Sequence, residues 1–239
     1  MNAFSGILLP IILTSFLVSC SPSTEELVEE GFKSLGAGEF DKAAEYFQRA
    51  VEISPQEAQA YNGLGVAYFE KQNFSEAIDA FDEAIALDSS NYKPFFNRGN
   101  AKLELQRYKE AVADYNLASA LDAGVVDIYY NRGLALLGME QYEDALFDFE
   151  MATEGNPQSS QVHFNKAKAH LGNNDPINAI SSLNEVISLD KRNGPAFYLL
   201  GVTEMSALGK KEEGCANLKM ALSLGYTAAK DWIDDFCQE

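Results

Sequence analysis

The sequence predicts an all-α solenoid of tandem helix-turn-helix repeats, and three observations carry that expectation. Alanine recurs at Ala43, Ala77, Ala111, Ala145 and Ala179, each 34 residues after the last. Glycine keeps the period at Gly31, Gly65, Gly99, Gly133 and Gly201, with Ala167 in the missing slot. Aromatics keep it at Phe40, Phe74, Tyr108 and Tyr142, and again at Phe47, Phe81, Tyr115 and Phe149. Within one period the apolar residues have helical spacing. Tyr61, Leu64, Gly65 and Tyr68 fall at i, i+3, i+4 and i+7 on a first helix, Ala77, Phe81 and Ala84 lie on a second, and Gln72-Asn73 marks the break. One such pair cannot bury its apolar face alone, so neighbouring pairs must stack.

The chain opens on MNAFSGILLPIILTSFLVSC, residues 1–20, with no charged side chain. Its apolar stretch from Ile7 to Val18 is shorter than the ~20 residues that span a bilayer and fits the h-region of a signal peptide. The run ends Leu17-Val18-Ser19-Cys20, which resembles the lipobox of bacterial lipoproteins. That resemblance implies a signal peptide over 1–19, lipidation of Cys20 and a short tether over 20–23. With Ser21 after the cysteine, it implies export to the outer membrane, facing the periplasm. More than one acyl chain, at about 0.8 kcal/mol per buried CH₂, gives stable anchoring.

The second repeat reads Tyr61-x₂-Leu64-Gly65-x₂-Tyr68 and then Ala77-x₃-Phe81, while Pro55 and Pro157 close the first and fourth. This pattern resembles the tetratricopeptide repeat. The resemblance implies a right-handed superhelix over 24–226, with repeats at 24–57, 58–91, 92–125, 126–159, 160–193 and 194–226. In these repeats small residues let two helix backbones approach while aromatics fill the space beside them. The first repeat departs from the pattern with Glu30 where leucine is usual. The fifth has Pro176 in the aromatic column and His163 in a large-aromatic slot. The sixth carries one extra residue and aligns as Gly214, Leu218 and Ala221. Residues 227–239 are expected to close the solenoid as a capping helix, with Trp232, Ile233 and Phe236 turned inward and Asp231, Asp234 and Asp235 outward.

Composition narrows the function. The chain carries 36 acidic and 18 basic residues, a net charge of −18. That excludes nucleic acid as a partner, because phosphate binding needs a basic patch, and it argues against docking on anionic lipid through the protein surface. The acidity is uneven: residues 24–91 hold 15 acids against 4 bases, and residues 160–239 hold 10 against 8. His163 and His170 lie about 10.5 Å apart along one helix and are expected to pack. No motif for a nucleophile, a phosphate loop or a zinc helix occurs, so no enzyme, metal or cofactor is expected. Arg98 and Arg132 share one repeat column, and Asp114 and Asp148 share another, which predicts a structural Arg–Asp bridge in repeats 3 and 4. Cys215 and Cys237 would lie on the last repeat and the cap. In an exported protein they would form a disulfide, against the alternative of two separate buried thiols.

The groove is the functional candidate. In tetratricopeptide arrays the first helices line a concave surface, and carrying those positions over selects Asn62, Val66, Phe69, Phe96, Asn97, Asn100, Leu103, Tyr130, Asn131, Leu134, Phe164, Asn165, Lys168 and Tyr198. The result is an aromatic row beside an asparagine row, suited to an extended or helical peptide segment. The carboxylate clamp of chaperone-binding relatives needs lysine where this chain has aromatics or asparagine, so that clamp is not present. The reading is therefore a lipid-anchored, non-enzymatic scaffold with a protein partner. By resemblance it serves pilus biogenesis, outer-membrane protein assembly or control of peptidoglycan hydrolases. The alternative is a self-associating structural protein with no separate client.

Overall fold

A computed structural model describes residues 22–238. The signal peptide read over 1–19 and the lipidation site Cys20 lie outside the described residues. The thirteen helices are α1 (Thr24–Gly36), α2 (Phe40–Ile53), α3 (Ala58–Glu70), α4 (Phe74–Leu87), α5 (Tyr92–Glu104), α6 (Tyr108–Leu121) and α7 (Val126–Gly138), then α8 (Tyr142–Gly155), α9 (Ser160–Gly172), α10 (Pro176–Leu189), α11 (Gly194–Leu208), α12 (Lys211–Ser223) and α13 (Ala229–Phe236). Each odd helix from α1 to α11 pairs with the next, each pair stacks on the following one, and α13 packs on α12. The architecture is thus all-α, in helix-turn-helix units with a trailing helix and no strand among the described residues. A capping box opens α1: Ser23 Oγ accepts from the Glu26 N–H at 3.2 Å, and the Glu26 carboxylate accepts from the Ser23 N–H at 2.8 Å.

The turn inside each pair repeats one conformation. Gly38, Gln72, Gln106, Glu140, Asn174 and Gly209 all sit in the left-handed region, with φ between 56° and 74°. In the first five pairs the next N–H reaches back five residues, as from Asn73 to the Tyr68 carbonyl at 2.9 Å and from Arg107 to the Lys102 carbonyl at 2.8 Å. This is a Schellman closure, and it reverses the chain in very few residues. The extra residue of the sixth unit lengthens α11 to 15 residues and widens that turn: Gly209 is left-handed, but the Lys210 N–H reaches back six residues to the Glu204 carbonyl at 2.9 Å.

Packing follows the sequence columns. The alanine column is fully buried, as is a second at Ala50, Ala84, Ala118 and Ala152, and so are Phe47, Phe81, Tyr115 and Phe149. The aromatics do not sit beside the glycine contact, as the sequence suggested; they sit directly on it. A Cβ on Gly65 would stand 2.5 Å from the Phe81 ring, and one on Gly99 would stand 2.7 Å from the Tyr115 ring. In the last pair a leucine takes over: a Cβ on Gly201 would lie 2.9 Å from Leu218 Cγ. The cap differs from expectation at one residue. Trp232 and Ile233 are half-buried against the cluster of Leu218, Ala221 and Ala229, but Phe236 is 49% exposed, its ring tilted against Trp232 at 5.1 Å. Phe236 shares the face of Trp232 by its i+4 spacing, but it is the last residue of α13, so no further turn covers it. Cys215 and Cys237 are bonded, with Cα atoms 5.6 Å apart, which fastens the end of α13 to α12.

Charged pairs staple successive units. Arg98 donates to both Asp114 carboxylate oxygens, and its remaining Nη1 reaches Asp82 on the preceding unit. Arg132 repeats this with Asp148, at 2.7 Å to each oxygen, and reaches Asn116 at 2.8 Å. Lys166 keeps only the reach back, 3.0 Å to Glu150.

Candidate functional site

First helices touch first helices along the array, α1 to α3, α3 to α5, α5 to α7 and α7 to α9, whereas second helices have no comparable contact with one another. The first helices therefore form the inner wall. The residues picked from the sequence lie on α3, α5, α7, α9 and α11 of that wall.

The aromatic row is anchored by one face. Phe96 lies 6.1 Å from Tyr115 and Tyr130 lies 6.2 Å from Phe149, centroid to centroid, each resting on the buried ring of its own second helix. Phe164 rests on the cluster around Leu183, and Tyr198 lies 5.1 Å from Tyr226. All four remain half-buried, so one face of each is held and part of each stays accessible. Val66, Leu103 and Leu134 are likewise half-buried, while Lys168 is exposed. Burial pushes the Tyr130 phenol above its ordinary pKa, partly offset by the hydrogen bond from Asn165.

The asparagines are tied to one another. Asn97 Nδ2 donates to Asn62 Oδ1 at 3.2 Å, and Asn131 Nδ2 donates to Asn100 Oδ1 at 2.9 Å. Asn165, only 8% exposed, donates to Tyr130 Oη at 3.0 Å and to the Gln161 carbonyl at 3.1 Å, so it braces the wall more than it faces the groove. The bonds between side chains cross from one unit to the next and use one or two of the four hydrogen-bonding positions of each amide.

Two hollows open along this wall. Phe69, which meets Phe74 at 5.4 Å, lines a pocket of about 130 Å³ with Val66, Glu70, Phe81, Asn97 and Asn100. A larger hollow of about 460 Å³ lies toward the first unit, bordered by Phe32, Glu57, Asn62, Asp88 and Lys93.

Three features escaped the sequence reading. Tyr115 donates its hydroxyl to Asn100 Oδ1 at 2.8 Å; a tyrosine in a column otherwise held by phenylalanine and leucine was the available signal. Burial, then the nearby charges of Asp114 and Glu104, holds that phenol protonated far above its ordinary range. Glu70 and Glu104 share a column at the groove rim, both exposed. Asp82 as a second partner of Arg98 is the third.

The histidines pack. His163 Nε2 lies 3.0 Å from the Pro157 carbonyl, and His170 Nδ1 is buried, 3.4 Å from Asp175 without hydrogen-bond geometry. Among the described residues, no group of three or more His, Cys, Asp or Glu is placed to hold a metal ion, and no helix is long and apolar enough to cross a membrane.

Models of the tetratricopeptide repeat match residues 35–92 and 130–196, and a second repeat model matches 99–140. No curated protein sequence matches the chain. Among solved structures, the chain is similar to YrrB, described as a TPR protein with an unusual peptide-binding site, at 25% identity and a TM-score of 0.68, over 76% of this chain and 93% of that one. It also resembles PilF of Pseudomonas aeruginosa, at 22% identity and a TM-score of 0.69, over 84% and 91%. MamA of Desulfovibrio magneticus shares the fold at 18% identity and a TM-score of 0.67, over 72% and 98%.

Proposed function

The chain belongs to the tetratricopeptide repeat family, and from that footing we propose that it is a non-enzymatic scaffold that holds a segment of a partner protein in its concave groove. The observation that carries this reading is the row of Phe96, Tyr130, Phe164 and Tyr198, each fixed by one face and in part still accessible. Rigid aromatic faces give large contact area at low entropy cost. Beside them lie amides whose unused atoms can still bond a main chain. The likeness to YrrB, a protein with a peptide-binding site, supports the same reading.

The place of action rests on the leader. With Leu17-Val18-Ser19-Cys20 read as a lipobox, the scaffold is tethered by Cys20 to the bacterial outer membrane, facing the periplasm, and supports assembly of an envelope complex. Pilus biogenesis, outer-membrane protein assembly and control of peptidoglycan hydrolases are processes that lipoproteins of this build serve.

Two experiments test the proposal. Tyr130→Ala with Phe164→Ala should abolish capture of the partner while far-UV circular dichroism stays unchanged; retained capture contradicts groove binding. Cys20→Ala should move the protein out of the membrane fraction, and a variant that stays there contradicts the anchor. Size measurement of the purified chain distinguishes the self-association alternative, which requires a stable oligomer.

A further inference from the structure

Resting on the groove reading, we infer a narrower ligand class: the segment held between the second and third repeats is extended, and it places a lysine or arginine side chain in the pocket beside Glu70. Three independent features lead there.

The first is the order of free amide atoms. Asn62 spends its Oδ1 on Asn97 and keeps Nδ2, a donor. Asn97 spends Nδ2 and keeps Oδ1, an acceptor. Asn100 accepts at Oδ1 from both Tyr115 and Asn131 and keeps Nδ2, while Asn131 keeps Oδ1. None of these free atoms is buried without a partner. Taken by the amide atom that has no partner at all, the row alternates donor, acceptor, donor, acceptor. An extended chain offers alternating C=O and N–H groups to such a row, whereas a helix has already used its own. Tyr115 is a positioning residue here, because its hydroxyl fixes which way Asn100 faces.

The second is the pocket itself. Val66, Phe69 and Phe81 give it apolar walls, Asn97 and Asn100 border it, and Glu70 stands at its edge. Lysine and arginine have an aliphatic stem and a charged head, which matches walls followed by a carboxylate. Glu70 has no competing cation close at hand: Lys71 is engaged with Asp41 at 2.6 Å, and Lys102 is buried against Asp114 at 2.8 Å. Glu104, in the same column as Glu70, adds a second negative charge to the rim.

The third is the field. Residues 24–91 hold 15 acids and 4 bases, so this end of the groove attracts a cationic segment and repels an acidic one.

The test uses the full chain and a positional-scanning library of acetylated, amidated nonapeptides. Retained peptides should be enriched in lysine or arginine at one position. Glu70→Gln should weaken the best lysine peptide by about fivefold, and Glu70→Lys should shift the enrichment toward aspartate or glutamate. Tyr115→Phe should instead weaken all retained peptides by about threefold, with the folded array's far-UV circular dichroism unchanged. Binding without lysine or arginine enrichment, or enrichment that survives Glu70→Gln, overturns the inference and leaves the groove reading intact. Unchanged affinity in Tyr115→Phe overturns the backbone-reading part. If the parent chain retains no peptide at all, both readings fall.

Discussion

The Arg–Asp bridge inside the fourth repeat makes a quantitative prediction. Asp148 is 1% exposed, and both its oxygens accept from Arg132 at 2.7 Å. Asp148→Ala leaves a guanidinium whose side chain is only 16% exposed, still held to Asn116 at 2.8 Å and without its counter-charge. Stripping one member from a buried ion pair costs about 3–5 kcal/mol. The same fold already contains the apolar alternative, because the second repeat has Leu64 and Ala80 at the equivalent positions, 7% and 6% exposed. The double variant Arg132→Leu with Asp148→Ala should therefore recover most of the loss and lie within about 1 kcal/mol of the parent. Urea denaturation followed by far-UV circular dichroism reads this as a large fall in midpoint for the single variant and a near-parental midpoint for the double. A double variant as unstable as Asp148→Ala would refute the reasoning.

Other consequences are open to direct measurement. Gly99→Ala should destabilise by about 1–3 kcal/mol, because its Cβ would meet the Tyr115 ring at 2.7 Å. Gly36→Ala should be neutral or stabilising, since nothing stands within 4 Å; equal melting temperatures for the two would refute the seating of rings on glycine. Burial lowers the pKa of His170 below its ordinary 6.5, against a partial offset from Asp175. The unfolded chain then takes up a proton that the folded chain resists, so stability falls as pH drops through the unfolded value toward the lower folded one. His170→Gln should flatten that fall between about pH 7 and pH 5 in thermal melts. Cys215→Ser with Cys237→Ser removes a link across 22 residues and should cost about 3 kcal/mol; thiol titration of the unreduced, unfolded parent should find neither cysteine free.

Much of this structure is legible in one chain because repetition averages out local noise. Ala43 and its successors each need a small side chain at a helix contact, so the column survives every other change. The break was legible at Gln72-Asn73, but its left-handed backbone was not. Gln72, Gln106 and Glu140 take a conformation that costs only about 1–2 kcal/mol, so glycine is not demanded and stands only at Gly38 and Gly209. The Arg–Asp pairs could be read because both partners recur sixteen residues apart. The reach from Arg98 to Asp82 could not, because the partner changes to Asn116 and then Glu150 in later repeats. The placing of the asparagines on first helices was legible, and the state of their side chains was not. The sequence does not show that Asn165 is occupied by Tyr130 and Gln161, or that Asn97 and Asn100 are left with opposite free atoms.

The central claim is that the inner wall holds another protein. Photo-crosslinking in intact cells tests it most directly, with a photoreactive amino acid at Leu134 or Lys168 on that wall, and at Phe147, which is 62% exposed on the second helix α8, as the outer control. The account expects a defined heterologous adduct from both inner positions, abolished by Tyr130→Ala with Phe164→Ala, and none from Phe147. Adducts from Phe147 alone, or inner adducts made only with further copies of this chain, would contradict it.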